Sequence, residues 1–379
     1  MNKIQNQTCT NCVMDTTDPN ITFNEKGVCD RCSQFYKEIL PSWNYGKDKE
    51  AELKIIADKI KKDGKGKKYD SILGLSGGFD SSYMLHFAVR ELGLRPLVFH
   101  VDAGWNEPLA VQNIKKITKK LGVDLKIEKM NWQEMKELQL AFFKAGVPHL
   151  DIPQDNAFVA ILDKHAKENK IKYVLNGGNI STEVIVNPNS WGYWGTDITH
   201  NKDIVKKFCT IPIVEYPFTS VIRRKIVMPY IYGVKVLKLL NYTSYIKADA
   251  EKLLMKEYGF IPYEQKHFED ILTKFIEGYW LPKRFGYDVR KPQFSSLILT
   301  GQMTRDEAFK KLEKPPLSEK EGEMLFKQVA EMLVISVDEL ERYFEMPIST
   351  YKDYKNSDWL FGIGSKIMFR LKLDKLIRK

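Results

Sequence analysis

The sequence predicts an α/β fold: a doubly wound, mainly parallel sheet, preceded by a small cysteine-built module and followed by a helical C-terminal domain. Three observations predict it. Between residues 69 and 175, short apolar runs alternate with amphipathic helical runs, the pattern of strands joined by crossover helices. Four of the five cysteines lie in the first 32 residues as two Cys-x2-Cys pairs. From residue 244 onward strand alternation ends, and helices are expected over 244–258, 264–277, 304–312, 318–331, 336–345 and 364–378. The expected domains are residues 1–45, 46–235 and 236–379.

The N-terminal module reads Cys9-x2-Cys12, then Cys29-x2-Cys32. Each pair aims two sulfurs at one point, and two pairs supply a tetrahedral four-sulfur shell. A structural Zn²⁺ site is expected, with Thr22–Val28 as a short strand and turn completing a zinc ribbon. An iron–sulfur cluster is the open alternative. Disulfides are not expected in the reducing cytoplasm, where this chain is placed. Its first residues carry no apolar signal core, and its apolar stretches are too short to span a bilayer.

Lys and Arg number 59 against 49 Asp and Glu, a net charge of +10. Such a surface suits anionic partners such as nucleotides, nucleic acid, acidic sugars or a membrane face, or is simply a solvated surface. The excess gathers at the end of the chain, where Lys366, Arg370, Lys372, Lys375, Arg378 and Lys379 interleave with apolar residues. This tail reads either as a helix making peripheral membrane or partner contact, or as one packed on its own domain.

Tyr69–Leu75 reads as a buried strand running into Ser76-Gly77-Gly78-Phe79-Asp80-Ser81-Ser82, with an amphipathic helix after it. A Gly-rich turn between strand and helix is a phosphate cradle: glycines let backbone N–H groups approach the anion, and the helix N-terminus adds its dipole. Ser76, Ser81 and Ser82 add hydroxyls. Asp80 suits phosphates only through a cation, so it is assigned to Mg²⁺ and pyrophosphate positioning. No GxxxxGK[ST] string is present. The SGGxDSS string resembles the motif of the PP-loop ATP pyrophosphatase superfamily, of adenine nucleotide alpha hydrolase-like fold. That resemblance implies ATP cleavage between the α and β phosphates and transfer of AMP to a substrate oxygen.

Further strands are expected at 95–102, 124–128 and 172–175, with a helix over 107–121 ending at Gly122. Ligands of such sheets sit at the strands' carboxyl ends, which places His100 and Asp102 beside the adenosine. His100 reads equally as a satisfied core histidine. Asp155 is either the N-cap of the helix running to Asn169 or a substrate contact. The last strand enters Asn176-Gly177-Gly178-Asn179-Ile180-Ser181-Thr182-Glu183. This resembles the GHNxDDE element of tRNA-thiolating PP-loop enzymes at Gly177, Asn179 and Glu183. It departs at Gly178, Ser181 and Thr182, leaving Glu183 as the one candidate carboxylate. The loop 187–200, with Trp191 and Tyr193 among Gly, Asn and Asp, reads as a sugar or base platform or as a packed Ω-loop.

The cysteine pairs, the SGGFDSS loop and the stretches 283–292 and 295–308 together resemble the N-acetyl sugar amidotransferase family, which makes acetamidino sugars for lipopolysaccharide and other surface glycans. Arg284 and Arg290 would then pair with an anionic or nucleotide-linked acetamido sugar, although surface charge explains them as well. The implied reaction adenylates the acetamido oxygen (Asp80, Ser81 and Glu183 being the catalytic candidates), after which ammonia displaces AMP. The one remaining cysteine, Cys209, lies in no glutaminase motif. A separate glutaminase is therefore expected to deliver ammonia, and no nucleic-acid partner. A PP-loop tRNA sulfurtransferase is the alternative.

Overall fold

The computed structural model describes residues 7–43 and 47–361. The predicted helix over 364–378 lies outside the described residues. The centre is a parallel sheet in the order β3-β2-β1-β4-β5, built from β1 Ser71–Gly74, β2 Pro96–Asp102, β3 Leu125–Lys129, β4 Tyr173–Leu175 and β5 Lys235–Leu237. The four expected strands are present. The fifth was not expected: it is three residues long at the sheet edge, with Lys235 and Val236 exposed, so its sequence carries no apolar signature. It also straddles the domain boundary expected at 235/236.

Both faces of β1 and β2 are covered, which explains their unbroken apolar runs. Successive side chains point to opposite faces. Leu73, Leu75 and Val98 pack under α2 Lys47–Asp63, α3 Phe79–His86, α4 Pro108–Leu121 and α9 Lys247–Tyr258. Ile72, Leu97, Phe99, Val101 and Val174 meet α6 Ile152–Glu168 on the other face. Burial of each such side chain stabilises the sheet by roughly 1.5–3 kcal/mol.

Of the C-terminal helices, the first and the last two share one core with α5 Trp132–Ala145, while Leu299 of the second joins the core of the cysteine module. In chain order these helices are α10 Ile271–Phe275, which continues in wide turns to Phe285, α11 Arg290–Leu299, α12 Arg305–Leu312, α13 Glu319–Leu333 and α14 Val337–Glu345. Trp280 lies edge-on to Phe143, with ring centroids 4.8 Å apart. Reciprocal capping boxes at Thr304 and Ser318 start α12 and α13. The helix expected over 264–277 begins only at Ile271; its first residues form a loop. The expected 22–28 strand reduces to a single bridge, Phe23 with Cys29, and another bridge joins Thr8 to Asp15. Short helices α1 Asp30–Gln34, α7 Ile180–Glu183 and α8 Ile198–Phe208 complete the element order. Among the described residues no helix is long and apolar enough to cross a membrane.

The strand order reverses between β1 and β4, and in such sheets the crevice outside that switch point is the ligand site.

Candidate active site

A cavity of about 650 Å³ opens there, walled by the loop after β1, the turn after β4, the first turn of α6 and the segment 263–277. Gly77 holds φ +92°, and a Cβ on it would stand 3.0 Å from the Ala110 carbonyl oxygen. Only glycine suits that position. The Gly78 N–H donates to Ser76 Oγ at 3.1 Å, and Ser76 Oγ lies 3.1 Å from Ser81 Oγ. Ser82 is buried beneath the loop rather than lining the cavity, and its hydroxyl has no hydrogen-bond partner.

Asp80 is not left open for Mg²⁺, contrary to expectation. Its carboxylate accepts from Tyr245 Oη at 2.7 Å and Asn179 Nδ2 at 3.3 Å, and pairs with Lys266 Nζ at 3.0 Å. Burial pushes the Asp80 carboxyl up, but Lys266 and Tyr245 outweigh it and hold it below the ordinary value. Lys266 also pairs with Glu183 at 2.5 Å. Burial disfavours its charge, yet the two carboxylates hold its pKa above normal. An ammonium thus sits beside the phosphate loop, supplied from a loop that the sequence reads as helix.

The carboxylate in the cradle itself is Glu269. It accepts from Ser76 Oγ at 3.0 Å, and a Cβ on Gly78 would lie 2.3 Å from its Oε1. A carboxylate facing phosphates needs a cation between them. The Mg²⁺ that the PP-loop fold implies therefore fits Glu269 better than Asp80. Tyr263 Oη donates to the Gly77 carbonyl at 3.0 Å, clasping the same segment to the loop.

The turn after β4 rests on α3: a Cβ on Gly177 would fall 2.8 Å from the Asp80 carbonyl carbon. Gly178 lines the cavity, and a Cβ there would meet Glu183 Oε2 at 2.9 Å. Asn179 caps α7 by accepting the Thr182 N–H at 3.0 Å while donating to Asp80. Its place in the motif is thus to bind the two loops together. His100 lines the cavity, with Nδ1–H donating to the Leu75 carbonyl at 2.8 Å. Burial lowers its pKa, so the ring is neutral, and its buried Nε2 is left without a partner. Asp102 turns away; it accepts from the Gly104 N–H and Asn106 Nδ2 and shapes the bend after β2.

Four candidates for substrate contact lie elsewhere. Trp191 is buried, stacks on Tyr287 and donates Nε1–H to the Thr17 carbonyl. Tyr193 donates to Asp197 and stacks on Tyr351. The loop 187–200 is therefore a packed connector. Arg284 binds carbonyls at the end of α14, including Met346 at 2.9 Å. Arg290 pairs with Asp288 at 2.6 Å and reaches the Lys311 carbonyl. Their charges serve helix ends and turns. Asp155 does open into the cavity, but it sits inside the first turn of α6 and is not its N-cap, which is Asp151.

Around Asp155 the wall is acidic: Asp151, Asp270 and Glu277 share it with Gln154 and His267. Burial pushes Asp155 up to about 6 and Asp270 up to about 7, and raises Asp151 well above the usual range. His267 is held at φ +69°. Burial disfavours its charge, but Glu277 at 3.0 Å brings its pKa to about 9.

The comparisons with known proteins match both walls of this cavity. Residues 71–171 match the phosphoadenosine phosphosulfate reductase domain model. Residues 269–368 match the model described as LPS biosynthesis protein WbpG-like, C-terminal domain. The chain is thus similar to a PP-loop-type domain in its nucleotide half and to WbpG-like lipopolysaccharide biosynthesis proteins in its C-terminal third. No curated protein matches this chain. Among solved structures, it is similar to U34-tRNA thiolase NcsA from Methanococcus maripaludis with its [4Fe-4S] cluster, at 15% identity over 90% of each chain and a TM-score of 0.34. It is also similar to NH3-dependent NAD synthetase from Campylobacter jejuni, at 13% identity over 79% of this chain and 98% of that one, with a TM-score of 0.27.

The WbpG-like C-terminal region also grips the cysteine module. Cys9, Cys12, Cys29 and Cys32 are buried, and their sulfurs lie within 4.8 Å of one another. Such a donor set fits a metal ion or cluster. Arg305 donates to the Cys9 carbonyl at 2.7 Å and the Cys12 carbonyl at 3.0 Å, and Ser295 accepts the Val13 N–H. The stretch 283–308 is thus largely a clasp for the metal module.

Proposed function

We propose that this chain is an ATP-dependent amidotransferase that adenylates the acetamido oxygen of a sugar and replaces it with nitrogen, giving an acetamidino sugar for lipopolysaccharide or related surface glycans. One observation carries the reading: the WbpG-like C-terminal region, with Lys266 three residues ahead of it, closes the cavity over the SGGFDSS loop. An amide oxygen is a poor leaving group, and AMP is a good one. The loop N–H groups, Ser76 and Ser81 would hold the phosphates, and Lys266 would stabilise charge developing on the departing pyrophosphate. Bound Mg²⁺ would neutralise the triphosphate, with Glu269 its nearest protein carboxylate.

Ammonia would come from a separate glutaminase. Burial pushes the Cys209 thiol up to about 12, and its sulfur donates to the Glu137 carbonyl at 3.9 Å while packing on an apolar core. That is no activated nucleophile. A sulfurtransferase working through a cysteine persulfide would need a reactive cysteine at the cavity, and among the described residues none lines it. We assign Zn²⁺ to the cysteine module. Pairs of its sulfurs stand 3.8 and 3.9 Å apart, the edge expected of a tetrahedron with metal–sulfur bonds of about 2.3 Å. A cubane would hold them farther apart, one per iron.

The test is release of AMP and pyrophosphate by purified protein given ATP, ammonium chloride and a panel of nucleotide-linked acetamido sugars. Release requiring both ammonium and a sugar is expected. Release stimulated only by tRNA would overturn the reading.

A further inference from the structure

The acidic wall of the cavity holds more carboxyl groups than cations. Asp151, Asp155, Asp270 and Glu277 face it from α6 and from the segment 267–277. Glu277 is answered by His267, while the other nearby cation, Lys266, is committed to Asp80 and Glu183. Asp151 and Asp270 accept only neutral donors, from Thr273 and Gln154. The Asp155 side chain is exposed within the cavity, and the protein packed around it still raises its pKa.

A second observation points to a ligand. Gln154 is only 3% exposed and lines this cavity. Its Nε2 donates to Asp270 at 3.2 Å, and its buried Oε1 has no hydrogen-bond partner. An orphaned buried acceptor beside carboxyl groups calls for a donor-rich cation. A coordinated metal ion is not indicated, because among the described residues only the four cysteines pack closely enough to hold one. Ammonium, with four N–H donors and no acceptor, matches an acceptor-only wall.

We propose that Gln154 Oε1, Asp155 and Asp270 form an ammonium-binding site that holds and deprotonates the nitrogen nucleophile. It rests on the amidotransferase reading. Ammonium passes one proton to an ionised carboxylate of the wall and becomes ammonia. The ammonia lone pair forms the new C–N bond on the adenylated carbon. The C–O bond to AMP breaks with its electron pair leaving on AMP. The attacking nitrogen gives a second proton to another carboxylate, and the product is the amidinium. The wall thus has to accept two protons and has carboxyl groups enough for both. Values of about 6 for Asp155 and about 7 for Asp270 suit proton acceptors working near neutral pH.

The experiment compares the full chain with Gln154→Leu and Asp155→Asn, each first checked for native circular dichroism and metal content. Thermal melts in ammonium chloride are set against sodium and potassium chloride at equal ionic strength. Stabilisation specific to ammonium is expected in the parent and is lost in both variants. Equal stabilisation by potassium, or none by ammonium, would overturn the site. In turnover assays the variants should raise the KM for ammonium about tenfold or more, leaving the KM for ATP in place. An unchanged ammonium KM would equally overturn it. Ammonium-specific binding without any ammonium-dependent AMP release would sink the amidotransferase reading while leaving the site standing.

Discussion

At the scale of single residues, Lys266 is the group on which most depends. It is the cation between Asp80 and Glu183 and stands beside the phosphate loop. Lys266→Met should lower kcat/KM for ATP about 100-fold or more, the size seen when one charge-stabilising donor is lost. Steady-state AMP release at varied ATP checks this, and a loss under tenfold would count against the role. Asp270 makes a pH prediction. Its folded pKa of about 7 lies above the roughly 4 of an unfolded aspartate. The folded state holds the extra proton between those values. The stabilisation linked to that proton is full below pH about 4 and is lost as pH rises through about 7. Asp270→Asn keeps an acceptor for the Thr273 N–H that starts α10. It should flatten that fall in urea melts taken across this range, and an unaltered slope would refute it. The glycines and serines of the loop were legible from sequence, because a phosphate cradle is local. Lys266 and Glu269 were not: they lie nearly 190 residues downstream in a charged run that reads as the start of a helix. Only the closure of the chain brings them to the loop.

At the scale of elements, strands β1, β2 and β4 could be read because they are buried between helices and their residues are mostly apolar, whereas the edge strand β3 shows only the alternation of Leu125 and Ile127 with charged residues. Strand β5 and helix α11 could not. The first is an exposed edge of three residues. The second begins Arg290-Lys291-Pro292 and buries Arg290, Ser295 and Ser296 together with Pro292, Leu297 and Leu299, so its inner face is mixed and shows no clean apolar stripe. The aromatic loop at 187–200 shows the opposite failure, since its composition is the same whether a ring faces a sugar or Tyr287. Packing between elements gives a further prediction. A Cβ on Gly322 of α13 would lie 2.1 Å from Cδ2 of Tyr279, a ring already wedged against Phe275, Phe326 and Phe344. Gly322→Ala should destabilise the fold by about 1–3 kcal/mol, read as a lower urea midpoint, with the KM for ATP unchanged. No change in midpoint would show that α13 can slide.

At the scale of the whole molecule, the metal module joins regions far apart in sequence. Its core includes Ile185 from the segment after the second glycine turn and Leu299 from α11, and Arg305 holds two of its carbonyls. Removing the metal should therefore do more than loosen the N-terminus. Chelation should lower the Tm and expose residues 290–312 to protease, with about one zinc released per chain. Protection of 290–312 that survives full metal loss would contradict this coupling. The segment 263–270 has a similar reach, because it carries the charges that complete a loop formed by residues 76–82. A recombination event with its crossover between 82 and 263 would hand a descendant the glycines of one lineage and the counter-charges of another. Exchanging the tail alone would leave residues 76–82 facing counter-charges they were not matched to.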